Sequence, residues 1–292
     1  MRYDLSIIIP HFNSPKSLKI LIDSIGDHKD VQVIVIDDRS DKAIEEFNEV
    51  KSSFSEERYV FLRNEGKKGA GTCRNIGLNA AEGKWLLFAD ADDYFTDDWY
   101  DRVSRYFDSD FDTVFFRPDS IDPTTGKPTE RHKTYAGFVD EYDPSDLRSV
   151  VRIKYYWCVP WSKMINASMV RENQISFSEV LYSNDIMFSA KVGVNSGNIH
   201  VDKNTIYIVT DSKGTLTKNM SQEAFFIRTD EEFLRFQYLK QQLSREEKKY
   251  LDYREGARRL LIVHNNKYGI KAWFKCLFKV IKNGYPLYSK RQ

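Results

Sequence analysis

The chain has 292 residues, 41% hydrophobic and 30% charged, with a formal net charge of +1; this is the make-up of a folded protein with a sizeable core, and no apolar run approaches the ~20 residues that span a bilayer. The neutral total hides an asymmetry, because residues 256–292 carry nine Lys or Arg and no Asp or Glu, leaving 35 basic against 43 acidic residues before them. An acidic body excludes the broad basic face of a nucleic-acid binder, so no nucleic-acid partner is expected.

The apolar run over residues 5–9, preceded by Asp4, is too short and wrongly flanked for a secretory signal, and a cytoplasmic location is expected. Strands are predicted over residues 5–9, 31–36, 59–62, 85–88 and 113–116. Helices between them make a β-α-β-α-β-α-β-α-β series, hence a mainly parallel sheet. Ser14 and Pro15 read as an N-cap with proline in the first turn, and Leu18, Leu21, Ile22 and Ile25 then form one apolar face. Asp41 is predicted to open a second helix with Ile44 and Phe47 inward. A third helix runs over residues 72–81, and Thr96, Asp97 and Asp98 start a fourth. Residues 117–142, rich in Pro, Gly, Thr and charge, read as an irregular loop or hairpin. Further on, helices are predicted over 167–173, 184–192, 223–241 and 245–264, and a strand over 206–209. The aromatic group Tyr155, Tyr156, Trp157 and Trp161 reads as core rather than as a sugar platform. Cys73, Cys158 and Cys276, odd in number and far apart, suit buried or half-buried thiols and neither a disulfide framework nor a structural zinc site.

In open sheets of this kind ligands bind beyond the carboxyl ends of the strands. Asp90, Asp92 and Asp93 follow the fourth strand directly, three carboxylates in four positions. Such charges repel, and a hard cation held by one or two of them together with substrate phosphates, Mg²⁺ or Mn²⁺, resolves the repulsion. The competing use is capping of the next helix. Asp37 and Asp38 hold the same place after the second strand, where Asp-rich turns also cap helices. Residues 66–75, Gly-Lys-Lys-Gly-Ala-Gly-Thr-Cys-Arg-Asn, form a glycine-rich turn into a helix, with Arg74 and Lys67 or Lys68 available to an anion. Their spacing is not the dinucleotide fingerprint, so no nicotinamide cofactor is expected.

Four motifs in this order, Ser-Ile-Ile-Ile-Pro-His-Phe-Asn at 6–13, Val-Ile-Asp-Asp-Arg-Ser at 35–40, Gly-Thr-Cys-Arg-Asn-Ile-Gly at 71–77 and Asp-Ala-Asp-Asp at 90–93, strongly resemble those of the family-2 inverting glycosyltransferases with the GT-A fold. The resemblance resumes at Trp161-Ser162-Lys163-Met164 and over 177–188. It implies a metal-dependent enzyme of the bacterial surface-polysaccharide type that moves a sugar from a nucleotide diphosphate sugar, usually UDP-linked, to a hydroxyl of a glycan or lipid-linked acceptor. Carried over by position, it implies that Pro10 and Phe12 line the nucleotide pocket and that Asp38 meets the base. Arg74 assists the nucleotide, Asp90 lies toward the ribose or the metal shell, and Asp92, with Asp93, binds the metal. Asp185 matches the general base. Glu179 is the second candidate on the acceptor side. The family's usual Glu-Asp is Asn184-Asp185 here, and His11 and Arg39 replace smaller residues, either tuning donor choice or packing.

Residues 1–220 are expected to form the catalytic domain, with 1–116 its nucleotide-sugar half and 117–220 its acceptor half, and 221–292 a helical extension. Over 270–282 Lys271, Lys275, Lys279 and Lys282 fall on one stripe and Ile270, Trp273, Phe274, Leu277 and Ile281 on another. That pattern suits a helix lying on an anionic membrane or one docking its apolar side on the body. Two rival functions stand beside the main one. A sugar-phosphate nucleotidyltransferase needs a glycine-rich loop after the first strand, where this chain has residues 10–15. A carbohydrate-binding protein on the same fold has no use for the retained Asp38, Asp90, Asp92 and Asp185.

Overall fold

The computed structural model describes residues 2–211, 221–251 and 256–288. The predicted border at residue 220, and part of the helix predicted over 245–264, lie outside the described residues.

The chain opens with β1 (Tyr3–His11), α1 (Pro15–Ile25), β2 (Val31–Asp37), α2 (Ile44–Ser53), β3 (Tyr59–Arg63), α3 (Ala70–Ala80) and β4 (Gly83–Phe88). Strands β3, β2, β1 and β4 lie parallel in that order. Leu5, Ile7, Ile8 and Ile9 of β1 are all buried, as the central strand of a sheet covered on both faces requires. Alternation along the strand sorts them: Leu5, Ile7 and Ile9 pack with Leu18, Leu21, Ile22 and Ile25 of α1, while Ile8 packs with Ile34, Ile36 and Cys73 on the other face. Burying each such side chain is worth about 2 kcal/mol.

After β5 (Tyr94–Phe95) and α4 (Trp99–Val103) the chain continues through β6 (Thr113–Ile121), α5 (Lys133–Asp140), α6 (Leu147–Tyr156), β7 (Lys163–Asn166), α7 (Ala167–Glu172), α8 (Ile186–Asn195) and β8 (Ile199–Thr210). One eight-stranded mixed sheet results, in the order β3-β2-β1-β4-β7-β6-β8-β5, with β7 antiparallel to both β4 and β6. Beyond it lie α9 (Gln222–Gln242), α10 (Arg245–Lys249), α11 (Gly256–Asn265) and α12 (Ile270–Lys282).

Three local readings are corrected. The second helix begins at Ile44, after Ala43 in a left-handed conformation (φ 51°), and Ile44 is exposed while Phe47 turns inward onto His11. The segment read as an irregular loop or hairpin carries the end of β6, an antiparallel bridge between Ile121 and Pro128, and all of α5, because Phe138 and Val139 bury against Phe115, Ile153 and Trp157. Its polar residues face outward around that apolar patch. The helix read over 245–264 is interrupted, since α10 ends at Lys249 and Leu251 is not helical. The aromatic group is core as expected, with Tyr155, Trp157 and Trp161 buried. Cys73 and Cys276 are buried and Cys158 half-buried, all free thiols.

Candidate active site

The carboxyl ends of β1 to β4 stand side by side, with α1 and α3 on opposite faces of the sheet. Connections that leave β1 and β3 toward opposite faces open a crevice at this edge.

The loops at that edge are first bound to one another. His11 is buried and stacks on Phe47 with ring centroids 4.7 Å apart. Ser14 N–H donates to its Nε2 (3.2 Å), so Nδ1 carries the proton and donates to Asp37 Oδ1 (3.0 Å). Burial lowers the His11 pKa against the pull of Asp37, so the ring is held neutral. His11 therefore packs. Asp37 also accepts from Ser40 N (3.0 Å) and Ser40 Oγ (2.5 Å), while Asn13 Oδ1 accepts from the backbone of Asp41 and Lys42. The pair Asp37-Asp38 thus divides its labour, because Asp38 turns the other way. Its Oδ1 accepts from Asn64 Nδ2 (2.6 Å) and its Oδ2 from Gly69 N (2.9 Å), which folds the glycine-rich turn over the end of β2. Pro10 is half-buried at the end of β1. Phe12 is 42% exposed, with Lys68 Nζ 3.8 Å above its ring.

Arg74, buried in the first turns of α3, links two distant stretches. One guanidinium nitrogen donates to Asp90 Oδ1 (2.6 Å) and the other to Asn184 Oδ1 (2.8 Å), and the group lies over the Phe177 ring. The backbones approach closely here: a Cβ on Gly71 would stand 2.2 Å from Ser178 O and 2.9 Å from Asn184 Cβ. Only glycine lets α3 press against the 178–184 loop. Arg74 Nε and Thr72 Oγ1 are buried with no hydrogen-bond partner among the described residues.

The three aspartates of the acidic turn have separate fates. Asp93 is buried, and both its oxygens are engaged by β8, Oδ2 accepting from Tyr207 OH (2.9 Å) and Oδ1 from Thr210 N (2.7 Å). Tyr207 OH in turn accepts from Asp90 N (2.8 Å), and Thr210 Oγ1 donates to Asp92 O (2.8 Å). Asp93 thereby fastens the turn to β8. Burial, then the charges of Asp92 and Asp90, push its carboxyl well above the usual range. Asp92 is exposed, and among the described residues no other residue donates to its carboxylate. Desolvation by the surrounding chain and the Asp90 charge raise its pKa, opposed by Arg131, which donates to Thr210 O (2.7 Å). No three His, Cys, Asp or Glu side chains converge on one point among the described residues. Two hard carboxylates, Asp92 without a partner and Asp90 with only Oδ1 engaged, fit a divalent cation that takes its remaining ligands from phosphate and water.

Asp185 sits at the N-cap position of α8, yet its side chain makes no capping bond, and no other described residue donates to it. The capping role weighed from sequence is thus vacant. Burial raises its pKa and Asp90 adds to the rise, while Arg74 and Lys163 pull the other way. Lys163 is buried, its Nζ donating to Ser189 Oγ (2.9 Å) and Trp157 O (3.3 Å), and desolvation brings its pKa down to about 7. Glu179 is exposed on the preceding loop, which Ser178 ties to the buried Glu231 (2.7 Å). The structure therefore gathers Asp90, Arg74, Asn184 and Asp185 into one cluster, with Pro10, Phe12 and Asp38 along the neighbouring strand ends. Sequence reading missed Asn64, Tyr207, Thr210 and Arg131, none of which stands in a recognisable pattern. Lys163 lay in a quoted motif without a role.

Residues 6–172 match the family described as Glycosyl transferase family 2. The chain is 24% identical over 208 residues to the poly(ribitol-phosphate) beta-N-acetylglucosaminyltransferase TarS of Staphylococcus aureus, covering 69% of this chain and 34% of that protein. It is 26% identical over 212 residues to the poly(ribitol-phosphate) beta-glucosyltransferase of Bacillus spizizenii, covering 70% and 31%. The chain thus spans about a third of the length of these curated relatives. Among solved structures, S. aureus TarS 1-349 in complex with UDP-GlcNAc matches with a TM-score of 0.72 at 20% identity, over 96% of this chain and 81% of that one. The mannosyltransferase PcManGT of Pyrobaculum calidifontis, in complex with GDP-Man and Mn²⁺, matches with a TM-score of 0.59 at 12% identity, over 97% and 76%. At these identities the structural likeness is one of fold, the GT-A arrangement of a mixed sheet flanked by helices. With more than half of its residues matched, the chain belongs to glycosyl transferase family 2.

Proposed function

We propose that the chain is an inverting glycosyltransferase that moves a sugar from a UDP-sugar to a hydroxyl of a glycan or lipid-linked acceptor, with Mn²⁺ or Mg²⁺. The observation that carries this reading is the pair of carboxylates without partners, Asp92 and Asp185, belonging to stretches that Arg74 ties together through Asp90 and Asn184. Relatives support the donor and the metal, since TarS is crystallised with UDP-GlcNAc and PcManGT with Mn²⁺. Both poly(ribitol-phosphate) transferases support a polymeric acceptor that offers hydroxyl groups.

In this reading Asp38, held in place by Asn64 and Gly69, accepts a hydrogen bond from the base. Phe12 and Pro10 flank the nucleoside. Asp92 and Asp90 hold the cation, which when bound offsets charge on the leaving diphosphate. Asp93, whose oxygens accept from Tyr207 and Thr210, fastens the acidic turn to β8 beside them. Arg74 keeps Asp90 oriented and sets its own positive charge beside Asp185. Asp185 takes the proton of the attacking hydroxyl, and its raised pKa makes it a better base than an open aspartate. Attack opposite to the departing diphosphate inverts the anomeric carbon. Glu179 lies on the acceptor side of the same loop.

The test is a calorimetric titration of UDP with and without Mn²⁺, beside UDP release from UDP-sugars. Asp92→Ala is expected to lose manganese-dependent binding, and Asp185→Asn to keep it while losing turnover. Wild-type protein that binds no UDP in either condition would sink the reading.

A further inference from the structure

The C-terminal helix α12 has three faces. Ala272, Cys276 and Val280 are buried and pack with Phe225, Phe226 and Val263, which seats the helix on α9 and α11. The opposite face carries Ile270, Phe274, Phe278 and Ile281, exposed by 68%, 59%, 65% and 65%. At ~100° per residue these four fall on one stripe spanning the helix. Leu277 and Trp273, both half-buried, step down from that stripe to the body on one flank. On the other flank stand Lys271, Lys275 and Lys282, all exposed, with Lys279 lower and bonded to Asp230 (2.6 Å). Helix α11, packed beside it, adds the exposed Arg258 and Leu261.

Membrane attachment was one of two outcomes open to this helix, docking its apolar side on the main domain the other; it packs on α9 and α11 by its small side chains and leaves its large ones bare. A docked helix has no packing reason to keep two phenylalanines and two isoleucines in water, and a contiguous apolar stripe marks a contact surface. The charge pattern names the partner. Residues 256–292 hold no Asp or Glu against nine Lys or Arg, so every charged side chain that α12 itself sets beside the stripe is a cation, with Asp230 of α9 paired to Lys279 below it. A second copy meeting this face would bring lysine against lysine, whereas an anionic bilayer accepts the stripe among its acyl chains and the lysines at its headgroups. Among the described residues no helix is long and apolar enough to cross a membrane, so this contact lies in the interface plane. We infer that the Ile270-Phe274-Phe278-Ile281 face of α12, with its flanking lysines, is a docking surface for anionic lipid bilayers.

The experiment is co-sedimentation of the full chain with phosphatidylcholine vesicles with and without 30% phosphatidylglycerol. The inference expects binding that requires phosphatidylglycerol, falls in high salt, and drops about tenfold or more in Phe274→Ser/Phe278→Ser. Lys271→Gln/Lys282→Gln should weaken it by about fivefold per lysine removed. An unchanged unfolding midpoint and unchanged UDP titration show that the variants stay folded. Equal sedimentation of the wild type and the phenylalanine variant would overturn the inference. So would a wild-type dimer in solution that the phenylalanine variant dissolves while vesicles are ignored, which would assign the stripe to a second copy. Neither outcome bears on UDP binding, so the catalytic reading stands or falls separately.

Discussion

The parallel half of the sheet and the C-terminal helical region leave different things unsatisfied. Along the ends of β1 to β4 polar groups are mostly bound to one another: His11 to Asp37, Asp38 to Asn64 and Gly69, Asp93 to Tyr207 and Thr210. What stays free there is charge, at Asp92 and Asp185. In α12 the free groups are apolar, Ile270, Phe274, Phe278 and Ile281. Unpaired carboxylates at the edge of a crevice suit a small charged ligand, and a bare apolar stripe suits an extended surface. The contrast separates a place for chemistry from a place for attachment within one chain.

The largest expected effect tests the free carboxylates. Asp185→Asn should lower kcat by about a thousandfold with UDP affinity held, in line with removal of a positioned general base. The wild-type rate should fall in acid with a midpoint above the ordinary aspartate value, the direction in which burial moves Asp185. A comparable loss of UDP affinity would place Asp185 on the donor instead.

The next tests the bound groups. Asp93→Ala leaves Tyr207 OH and Thr210 N without an acceptor in a buried place and should cost about 3 kcal/mol in denaturant unfolding. Unchanged stability with lost manganese-dependent UDP binding would return Asp93 to the metal. Gly71→Ala pushes a methyl against Ser178 O and Asn184, for about 2 kcal/mol of destabilisation. It should also lower kcat more than it raises KM, because the displaced loop leads into Asp185 while the groups around Asp38 stay in place.

Much of this was legible beforehand. The β1 to β4 series followed from short apolar runs and helix starts. The acidic turn, Arg74 and Asp185 stood in ordered motifs, because a strand end fixes where the next residue points. What could not be read were contacts between residues far apart in the chain. Nothing near Asp93 in sequence says that Tyr207 and Thr210 will take both its oxygens, over a hundred residues later. Likewise α5 was hidden because two apolar residues, Phe138 and Val139, carry its packing within a polar stretch. The faces of α12 were legible by periodicity, but not which of them the body would cover.

A pH-dependent effect lies beneath Asp185, where burial and free charge meet in one side chain. Lys163 has a pKa of about 7 in the folded chain against an ordinary 10.5, because desolvation disfavours the ammonium form. Between those values the unfolded chain binds one proton more than the folded one, so stability should rise with pH across this window. For a single group the slope approaches ~1.4 kcal/mol per pH unit near its middle. Denaturant unfolding from pH 7 to pH 10 should show that rise in the wild type and a flatter profile in Lys163→Met. Lys163 also pulls the Asp185 pKa down, so the same variant should move the acid limb of kcat to higher pH. A flattened stability profile with an unmoved acid limb would leave Lys163 a buried group whose titration sets the stability without reaching the chemistry, and would confine the tuning of Asp185 to Arg74, Asp90 and its own burial.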